Sequence, residues 1–265
     1  CISSAASDVY KRQDTSRWAD LADKYKVREY VQSLGLGDTL VKLYGRWDKA
    51  SDIDWDRLPN QFVLKVNNGC GDILICRDKD KLDKATVIDT YDRLVSIKYG
   101  DVTGEPHYAR IQPCVIAEEL LDINKQSINT SSLIDYKVWC LNGKPYCIWC
   151  AWNRGKEGAD TGVYDLDWNY HPEWSVFTEH YRQGKEILPK PKCFERMLEV
   201  ASKLSEEFPI LRVDLYEVNE KIYFGELTFT SLGGFMDYLT SEILLDMGSK
   251  VRINEISEEY VHVKC

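Results

Sequence analysis

The sequence lacks any apolar run approaching the roughly 18 residues of a membrane-spanning helix, so no membrane span is expected. It also lacks internal repeats and low-complexity tracts. A composition with 44% hydrophobic and 29% charged residues excludes a disordered chain, a collagen-like fibre and a coiled coil. Positive charge is in deficit, with 34 Lys and Arg against 43 Asp and Glu. Nucleic acid is therefore not an expected partner, because phosphate contacts require clustered Lys and Arg.

Histidine is scarce, and the spacing of the chain's histidines suggests no Ser/His/Asp or Cys/His catalytic group. The four histidines are isolated from one another: His107, His171, His180 and His262. The nine cysteines are scattered and no secretory signal precedes them, so we expect reduced thiols and a cytoplasmic protein. Cys147 and Cys150 lie in a strand pattern that directs their sulfurs to opposite faces, which disfavours a metal or redox site.

What is present is a mixture of helix and hairpin patterns, which predicts an α+β fold. Apolar periodicity predicts helices over 17–34, 82–99, 191–208 and 241–247. Alternation and turn residues predict strands over 62–66, 73–76 and 114–117, and hairpins formed by 136–141 with 146–152 and by 212–218 with 222–229. Residues 153–190 show no clear period and are expected to form a loop or insertion.

The first candidate functional segment is the strand around Lys65 with the glycine loop 67–71 behind it. A lysine in a buried strand is costly unless it meets an anion, and a glycine loop lets backbone N–H groups approach phosphates. The loop is not GxxxxGK[ST] and no helix follows it, so a P-loop NTPase is disfavoured. A hairpin with an edge lysine is the alternative interpretation.

The second segment is a strand that runs into carboxylates, at Glu118, Glu119 and Asp122. Backbone groups there are suited to an adenine edge, and a carboxylate is left for ribose hydroxyls. The alternative is a strand that ends in a solvated acidic turn.

The third segment is the hairpin that carries Asp214 and Glu226, two carboxylates suited to a shared hard cation. A three-residue turn places them opposite each other, whereas a turn of only Asn219 and Glu220 sends them to opposite faces. A magnesium site therefore requires the longer turn or a β-bulge. Two exposed strand carboxylates are the alternative. Lys137 adds a further strand lysine.

In this order the segments resemble the ATP-grasp superfamily, and more narrowly its TupA-like family, which is associated with teichuronopeptide and surface-polysaccharide biosynthesis. The resemblance covers about residues 17–247. The matching stretches are DKYKVREYV at 23–31, LPNQFVLKVNNGCGDILICRDKDKLD at 58–83, IAEELL at 116–121, DYKVWCLNGKP at 135–145, YDLDW at 164–168 and FPILRVDLYEVNEKIYFGELTFTSLGGF at 208–235.

The resemblance implies two α+β subdomains that grip ATP between antiparallel sheets within a domain at 17–265. The nucleotide-covering subdomain is expected at about 58–117 and the metal- and substrate-binding subdomain at about 118–247. Residues 1–16, which open on a small and polar stretch, are expected to be a tail outside this domain.

The resemblance also implies roles for individual residues. Nucleotide binding is expected of Lys24, Lys65, Gly69, Gly71, Glu118, Glu119, Leu121 and Asp122. Lys137 and Arg212 are expected to act on phosphate or substrate. Magnesium is expected at Asp214, Glu226 and Thr228, where Thr228 replaces the asparagine usual in the superfamily. The common Pro-Gly-Gly that follows is Ser-Leu-Gly-Gly at 231–234.

The activity implied is an ATP- and Mg²⁺-dependent ligase that joins a carboxylate to an amine through an acyl phosphate. Its substrates would be small-molecule or glycan-linked carboxylates and amines. Two alternatives are a sugar phosphotransferase of the same fold and a non-catalytic nucleotide- or glycan-binding module. The oligomeric state does not follow from the sequence.

Overall fold

The computed structural model describes residues 15–69, 73–97, 99–100, 105–234 and 236–252. Its helices are α1 (Trp18–Ala22), α2 (Val27–Ser33), α3 (Lys84–Leu94), α4 (Pro106–Ala109), α5 (Phe194–Ser205) and α6 (Ser241–Lys250). Its strands are β1 (Leu43–Trp47), β2 (Phe62–Val66), β3 (Ile73–Cys76), β4 (Val115–Glu118), β5 (Asp135–Leu141), β6 (Lys144–Gly155), β7 (Gly158–Tyr164), β8 (Tyr181–Gln183), β9 (Ile210–Val218) and β10 (Lys221–Thr228).

The strands form two sheets, which makes the protein an α+β structure as predicted. The smaller sheet has the order β1-β4-β2-β3 and is antiparallel throughout. Phe62 and Leu64 on one of its faces pack against Val87 and Tyr91 of α3. The larger sheet has the order β10-β9-β5-β6-β7-β8, with only β7 and β8 parallel.

The larger sheet has two different faces, which we name the back face and the front face. The back face is apolar: Val138 of β5 and Val213 of β9 belong to one core with residues of α1, α2 and α5. The front face is apolar only over part of its area, where Trp139 and Trp149 pack under Ile243 of α6. The rest of the front face is charged, and it carries the candidate site.

Several predicted elements are confirmed. Strands 62–66 and 73–76 have the predicted bounds, and both hairpins form. Asn142 and Gly143 make the first hairpin turn, with φ of 51° and 75°. Cys147 lies in the front-face core and Cys150 in the back-face core, so the two sulfurs do lie on opposite faces.

The prediction of one helix over 17–34 is wrong, because the chain breaks between α1 and α2. The Asp23 carboxylate accepts hydrogen bonds from the backbone N–H groups of Tyr25 and Lys26. The Lys24 N–H donates to the carbonyl of Asn67, 3.0 Å away in the glycine loop. These contacts replace helical hydrogen bonds, and the tertiary one has no signature in the local sequence.

The prediction of a loop over 153–190 is also wrong, since β6 continues to Gly155 and β7 and β8 follow. Both faces of β7 are covered, and six of its seven residues are buried. A strand of small residues buried on both sides shows no alternation of apolar and polar positions, so its pattern was not visible. Strand β1 was likewise not indicated by the sequence pattern.

The expected tail at 1–16 lies outside the described residues except for Thr15 and Ser16. Thr15 accepts hydrogen bonds from the Arg110 guanidinium through both its carbonyl and its hydroxyl, at 2.6 and 2.9 Å. In the described part of the chain, no helix has the length and apolar character needed to cross a membrane.

Candidate active site

The register of the β9–β10 hairpin determines which carboxylates meet. Asn219 and Glu220 form a two-residue turn, with φ of 54° and 58°. Such a turn alone would pair Glu226 with Val213 and direct it to the back face. The register shifts between Phe224 and Glu226, so that Gly225 is the extra residue of a β-bulge and Glu226 pairs with Asp214. The bulge that a magnesium site requires is therefore present.

Lys137 reaches the same place from β5, where it pairs with Asp214 across the β5–β9 register. Its ammonium group forms ion pairs with the carboxylates of Asp214 and, at 2.8 Å, Asp135. Asp214 is only 1% exposed. Burial raises the pKa of Asp214, while the charges of Arg212 and Lys137 oppose that shift.

Arg212 holds Asp214 from the other side. Its Nε and Nη2 donate to the two Asp214 oxygens at 2.7 and 2.8 Å. The same guanidinium donates to the hydroxyls of Thr228 and Ser231, both at 2.9 Å. Burial disfavours the charge of Arg212, but Asp214, Tyr238 and Glu226 together outweigh burial and raise the pKa of Arg212 well above its ordinary value.

Glu226 is the more open of the two carboxylates. Its side chain is 29% exposed, and its nearest cations are Lys24 at 3.3 Å and Arg212 at 3.4 Å. Burial acts to raise the pKa of Glu226, yet Lys24, Lys137 and Arg212 together lower it well below its ordinary range. Lys24 also donates to the carbonyl of Gly69 at 2.8 Å, which ties the glycine loop to this site. Gly71 lies outside the described residues.

Lys65 and Glu118 lie on the smaller sheet. Lys65 Nζ is 2.6 Å from a Glu118 oxygen, and Arg28 is 3.3 Å from the other oxygen. Glu118 is 6% exposed, so the alternative of a solvated acidic turn is wrong for this residue. It describes Glu119 and Asp122, which are exposed.

Leu121 lies between the two sheets. It is 8% exposed and packs with Val41, next to β1, and Val218 of β9. Asp122 accepts hydrogen bonds from the backbone N–H and side-chain amide of Asn124, both at 3.0 Å. The acidic segment therefore crosses from one sheet to the other in an ordered conformation.

A family model described as TupA-like ATP-grasp matches residues 7–252. The chain belongs to this family. The match begins within the residues expected to be a tail. No curated protein matches the sequence.

Solved structures that resemble this chain include D-alanine–D-alanine ligases. The D-alanine–D-alanine ligase of Bacillus anthracis superposes with a TM-score of 0.53 at 15% identity, over 88% of this chain and 67% of the ligase. The same ligase complexed with ATP gives a TM-score of 0.52, also at 15% identity, over 88% of this chain and 66% of the ligase. The chain thus spans about two thirds of that ligase. The predicted ATP-grasp fold is confirmed, and membership of the TupA-like ATP-grasp family agrees with the predicted class of ATP-dependent ligase.

The donor set of this TupA-like protein is suited to magnesium. Asp214, Glu226 and Thr228 present carboxylate and hydroxyl oxygens on one face, and hard divalent cations prefer such ligands. In the ranges that the structure describes, no group of three or more His, Cys, Asp or Glu side chains is arranged to hold a metal. The candidate ligands are two carboxylates and a hydroxyl. Arg212 already donates to both Asp214 oxygens and to Thr228, so Glu226 is the more accessible carboxylate.

Sequence reasoning missed three residues of this charged region: Arg28, Asp135 and Arg154. Asp135 lies two residues before Lys137 on β5, so the alternation of the strand was a usable signal for it. Arg28 lies on α2 and Arg154 lies in the segment expected to be a loop. For these two residues the sequence contains no periodic signal that points to the site.

Proposed function

We propose that the chain is an ATP- and Mg²⁺-dependent ligase that joins a carboxylate to an amine through an acyl phosphate. The observation that carries the proposal is the convergence of Lys137, Arg212, Asp214 and Glu226 on the front face of the larger sheet. Membership of the TupA-like family supports surface-polysaccharide or teichuronopeptide biosynthesis as its setting. The Bacillus anthracis ligase was solved in complex with ATP, which supports ATP as the nucleotide.

In this proposal the nucleotide lies between Lys65 on the smaller sheet and the charged part of the front face. Glu118, which also pairs with Arg28, holds Lys65 in place for a phosphate, and Lys24 aligns the glycine loop. The backbone at Glu119, together with Leu121, borders the adenine. Asp122, which is exposed, accepts hydrogen bonds from the ribose hydroxyls.

The chemistry requires that negative charge on the transferred phosphoryl group be neutralised. An oxygen of the substrate carboxylate attacks the terminal phosphorus of ATP, and ADP leaves. Lys137 supplies a positive charge beside this carboxylate. Arg212, held by Asp214 and Thr228, is oriented toward the acyl phosphate, from which an amine then displaces inorganic phosphate. Magnesium held by Asp214, Glu226 and Thr228 would withdraw charge from the phosphate oxygens.

Hydroxylamine tests this reaction, because it traps acyl phosphates as hydroxamates. The purified chain is incubated with ATP, Mg²⁺, hydroxylamine and a panel of uronic acids and peptide carboxylates. We expect ADP, phosphate and hydroxamate to form only with a matching carboxylate. A phosphorylated sugar formed without an amine would instead identify a phosphotransferase, and nucleotide binding without turnover across the panel would identify a binding module.

Two glutamates of one hairpin provide a matched pair of variants. Glu226→Gln removes a proposed magnesium ligand, and we expect a rate loss on the order of 100-fold or more, as for other preorganised charge contacts. Glu220→Gln makes the same change in the exposed turn, where Glu220 contacts Lys192, and should leave the rate unchanged. Equal rates for both variants would contradict the magnesium assignment.

A further inference from the structure

Arg154 is directed to the front face by an irregularity in β6. Trp152 belongs to the back-face core, and regular alternation would place Arg154 on that same face. Instead the β6–β7 register shifts between Trp152 and Gly155, and Asn153 adopts a left-handed conformation with φ of 50°. As a result Arg154 Nη2 lies 2.9 Å from a carboxylate oxygen of Asp135 on β5.

This irregularity is held by specific hydrogen bonds. The Asn153 side chain accepts from the Ser131 N–H at 2.9 Å and donates to Asp160 at 2.8 Å. The Arg154 N–H donates to the Ser132 hydroxyl at 3.1 Å. Non-glycine residues in left-handed conformations are disfavoured, and they persist where the surroundings fix them, commonly at functional positions. Bulges next to active sites serve to redirect a side chain in this way.

Arg154 ends a chain of alternating charges on the front face. The chain runs Arg154–Asp135–Lys137–Asp214–Arg212, and each neighbouring pair is an ion pair. The side chains of Lys137 and Arg212 are 7% and 11% exposed, whereas that of Arg154 is 47% exposed. Arg154 is thus the most exposed of the three cations in this chain of charges.

Asp135 carries a second sign of an incomplete site. One of its oxygens pairs with Lys137 and Arg154, but the other, Oδ1, is buried without a hydrogen-bond partner in the part of the chain that the structure describes. Buried polar atoms are nearly always paired. Because a carboxylate oxygen only accepts hydrogen bonds, Oδ1 can be satisfied by a donor or a cation but not by a phosphate oxygen. The case for an anion beside Asp135 therefore depends on Lys137 and Arg154.

We propose that Arg154 binds the terminal phosphate of the nucleotide. This inference rests on the proposed function, which puts phosphate beside Lys137. Because Asp135 contacts both Lys137 and Arg154, a phosphate over Lys137 lies next to the Arg154 guanidinium. The planar guanidinium matches two phosphate oxygens at once, which a lysine in its place would not.

Calorimetric titration with ADP and with the β,γ-imido analogue of ATP, both with Mg²⁺, tests the assignment. For Arg154→Gln we expect the analogue to bind on the order of 10- to 100-fold more weakly while ADP binding stays within about twofold. Arg154→Lys should weaken binding of the analogue less than Arg154→Gln does, and it should leave ADP binding unchanged. Arg196→Gln is the matched control: its side chain is 35% exposed and pairs with Glu199 on α5, and it should bind both nucleotides as the unmodified chain does.

The outcomes separate this inference from the proposed function. If the unmodified chain binds neither nucleotide, the proposed function fails, and the role of Arg154 fails with it. If the unmodified chain binds both but Arg154→Gln weakens both equally, or neither, only the assignment of Arg154 is overturned. Thermal unfolding of each variant shows whether it is folded, and Arg154→Lys provides the answer should Arg154→Gln not fold.

Discussion

On the six-stranded sheet, neighbouring residues of one strand lie on opposite faces, an apolar back face and a partly charged front face. On β9, Val213 and Leu215 are fully buried in the back-face core, whereas Asp214 between them meets Lys137 and Arg212 on the front face. On β5, Tyr136 and Val138 flank Lys137 in the same manner. Adjacent residues of one strand thus serve stability on one face and chemistry on the other. Substitutions on the back face should lower the unfolding free energy, and substitutions on the front face should change nucleotide binding or catalysis.

The largest effect is expected for Asp214→Ala, which breaks this separation because the front-face carboxylate is itself buried. Removing it leaves the charges of Arg212 and Lys137 without their shared partner. Breaking such a buried pair costs about 3–5 kcal/mol of unfolding free energy, measured by urea denaturation. The Glu226→Gln variant, at a partly exposed position, should lose far less stability. Equal stability of Asp214→Ala and the unmodified chain would contradict the charge network.

Leu215→Ala is the neighbouring change on the back face. Leu215 is fully buried, so truncation should cost about 2–5 kcal/mol of unfolding free energy through lost burial and the cavity left behind. Nucleotide affinity, measured by calorimetry at a temperature where the variant is folded, should be unchanged. A tenfold or greater loss of affinity, on the scale of about 1.4 kcal/mol, would show that the two faces are not independent.

His107 makes stability depend on pH through the back-face layer, where it packs against Trp18 and Phe229. Burial, helped by the charge of Arg110, lowers the pKa of His107 from 6.5 to about 4. Between pH 6.5 and 4, His107 is protonated in the unfolded state but largely neutral in the folded state. The unfolding free energy is therefore highest above pH 6.5 and falls as the pH drops toward 4. We expect a loss of about 3 kcal/mol in unfolding free energy by pH 4.

His107→Phe should remove most of this dependence between pH 7 and pH 4.5, as followed by denaturant unfolding at several pH values. Glu226 has a lowered pKa, and its stabilising contribution is lost only below its ordinary value of 4.5. Glu226 and His107 therefore affect stability in separate pH windows. A His107→Phe variant that lost as much stability between pH 7 and pH 4.5 as the unmodified chain would exclude His107 as the cause.

The smallest effect concerns the turns. Both hairpins have two-residue turns with positive φ, but Asn142 is followed by Gly143 whereas Asn219 is followed by Glu220, at φ of 58°. Glu220→Gly relieves this left-handed conformation and should raise the unfolding free energy by about 0.5–1 kcal/mol. The surface pair with Lys192 that it removes contributes little. A loss of stability would show that this contact outweighs the turn.

The sequence predicted the structure correctly where strands alternate regularly. It did not predict where a bulge or a left-handed residue interrupts that alternation. The strand around Lys65, the strand pair with Asp214 and Glu226, and the need for a bulge between them followed from alternation and turn length. The position of the bulge at Gly225 did not follow, because several places along the strand satisfy the same arithmetic.

The remaining errors come from tertiary contacts. The break at Asp23 depends on a hydrogen bond from Lys24 to Asn67, 43 residues away in the sequence. The face of Arg154 is determined by the left-handed Asn153, whose conformation is held by Ser131 and Asp160. Neither contact is encoded in a local pattern, so periodicity predicted a single helix and a structureless segment.

The most direct test of a magnesium-nucleotide site on the front face is calorimetric binding of the ATP analogue with and without Mg²⁺. The unmodified chain and Leu215→Ala should bind the analogue on the order of tenfold or more tightly when Mg²⁺ is present, a gain of about 1.4 kcal/mol or more. Glu226→Gln should lose that gain. If Glu226→Gln retains the full effect of Mg²⁺, the metal is not held by the Asp214–Glu226 pair and the proposed active site is wrong.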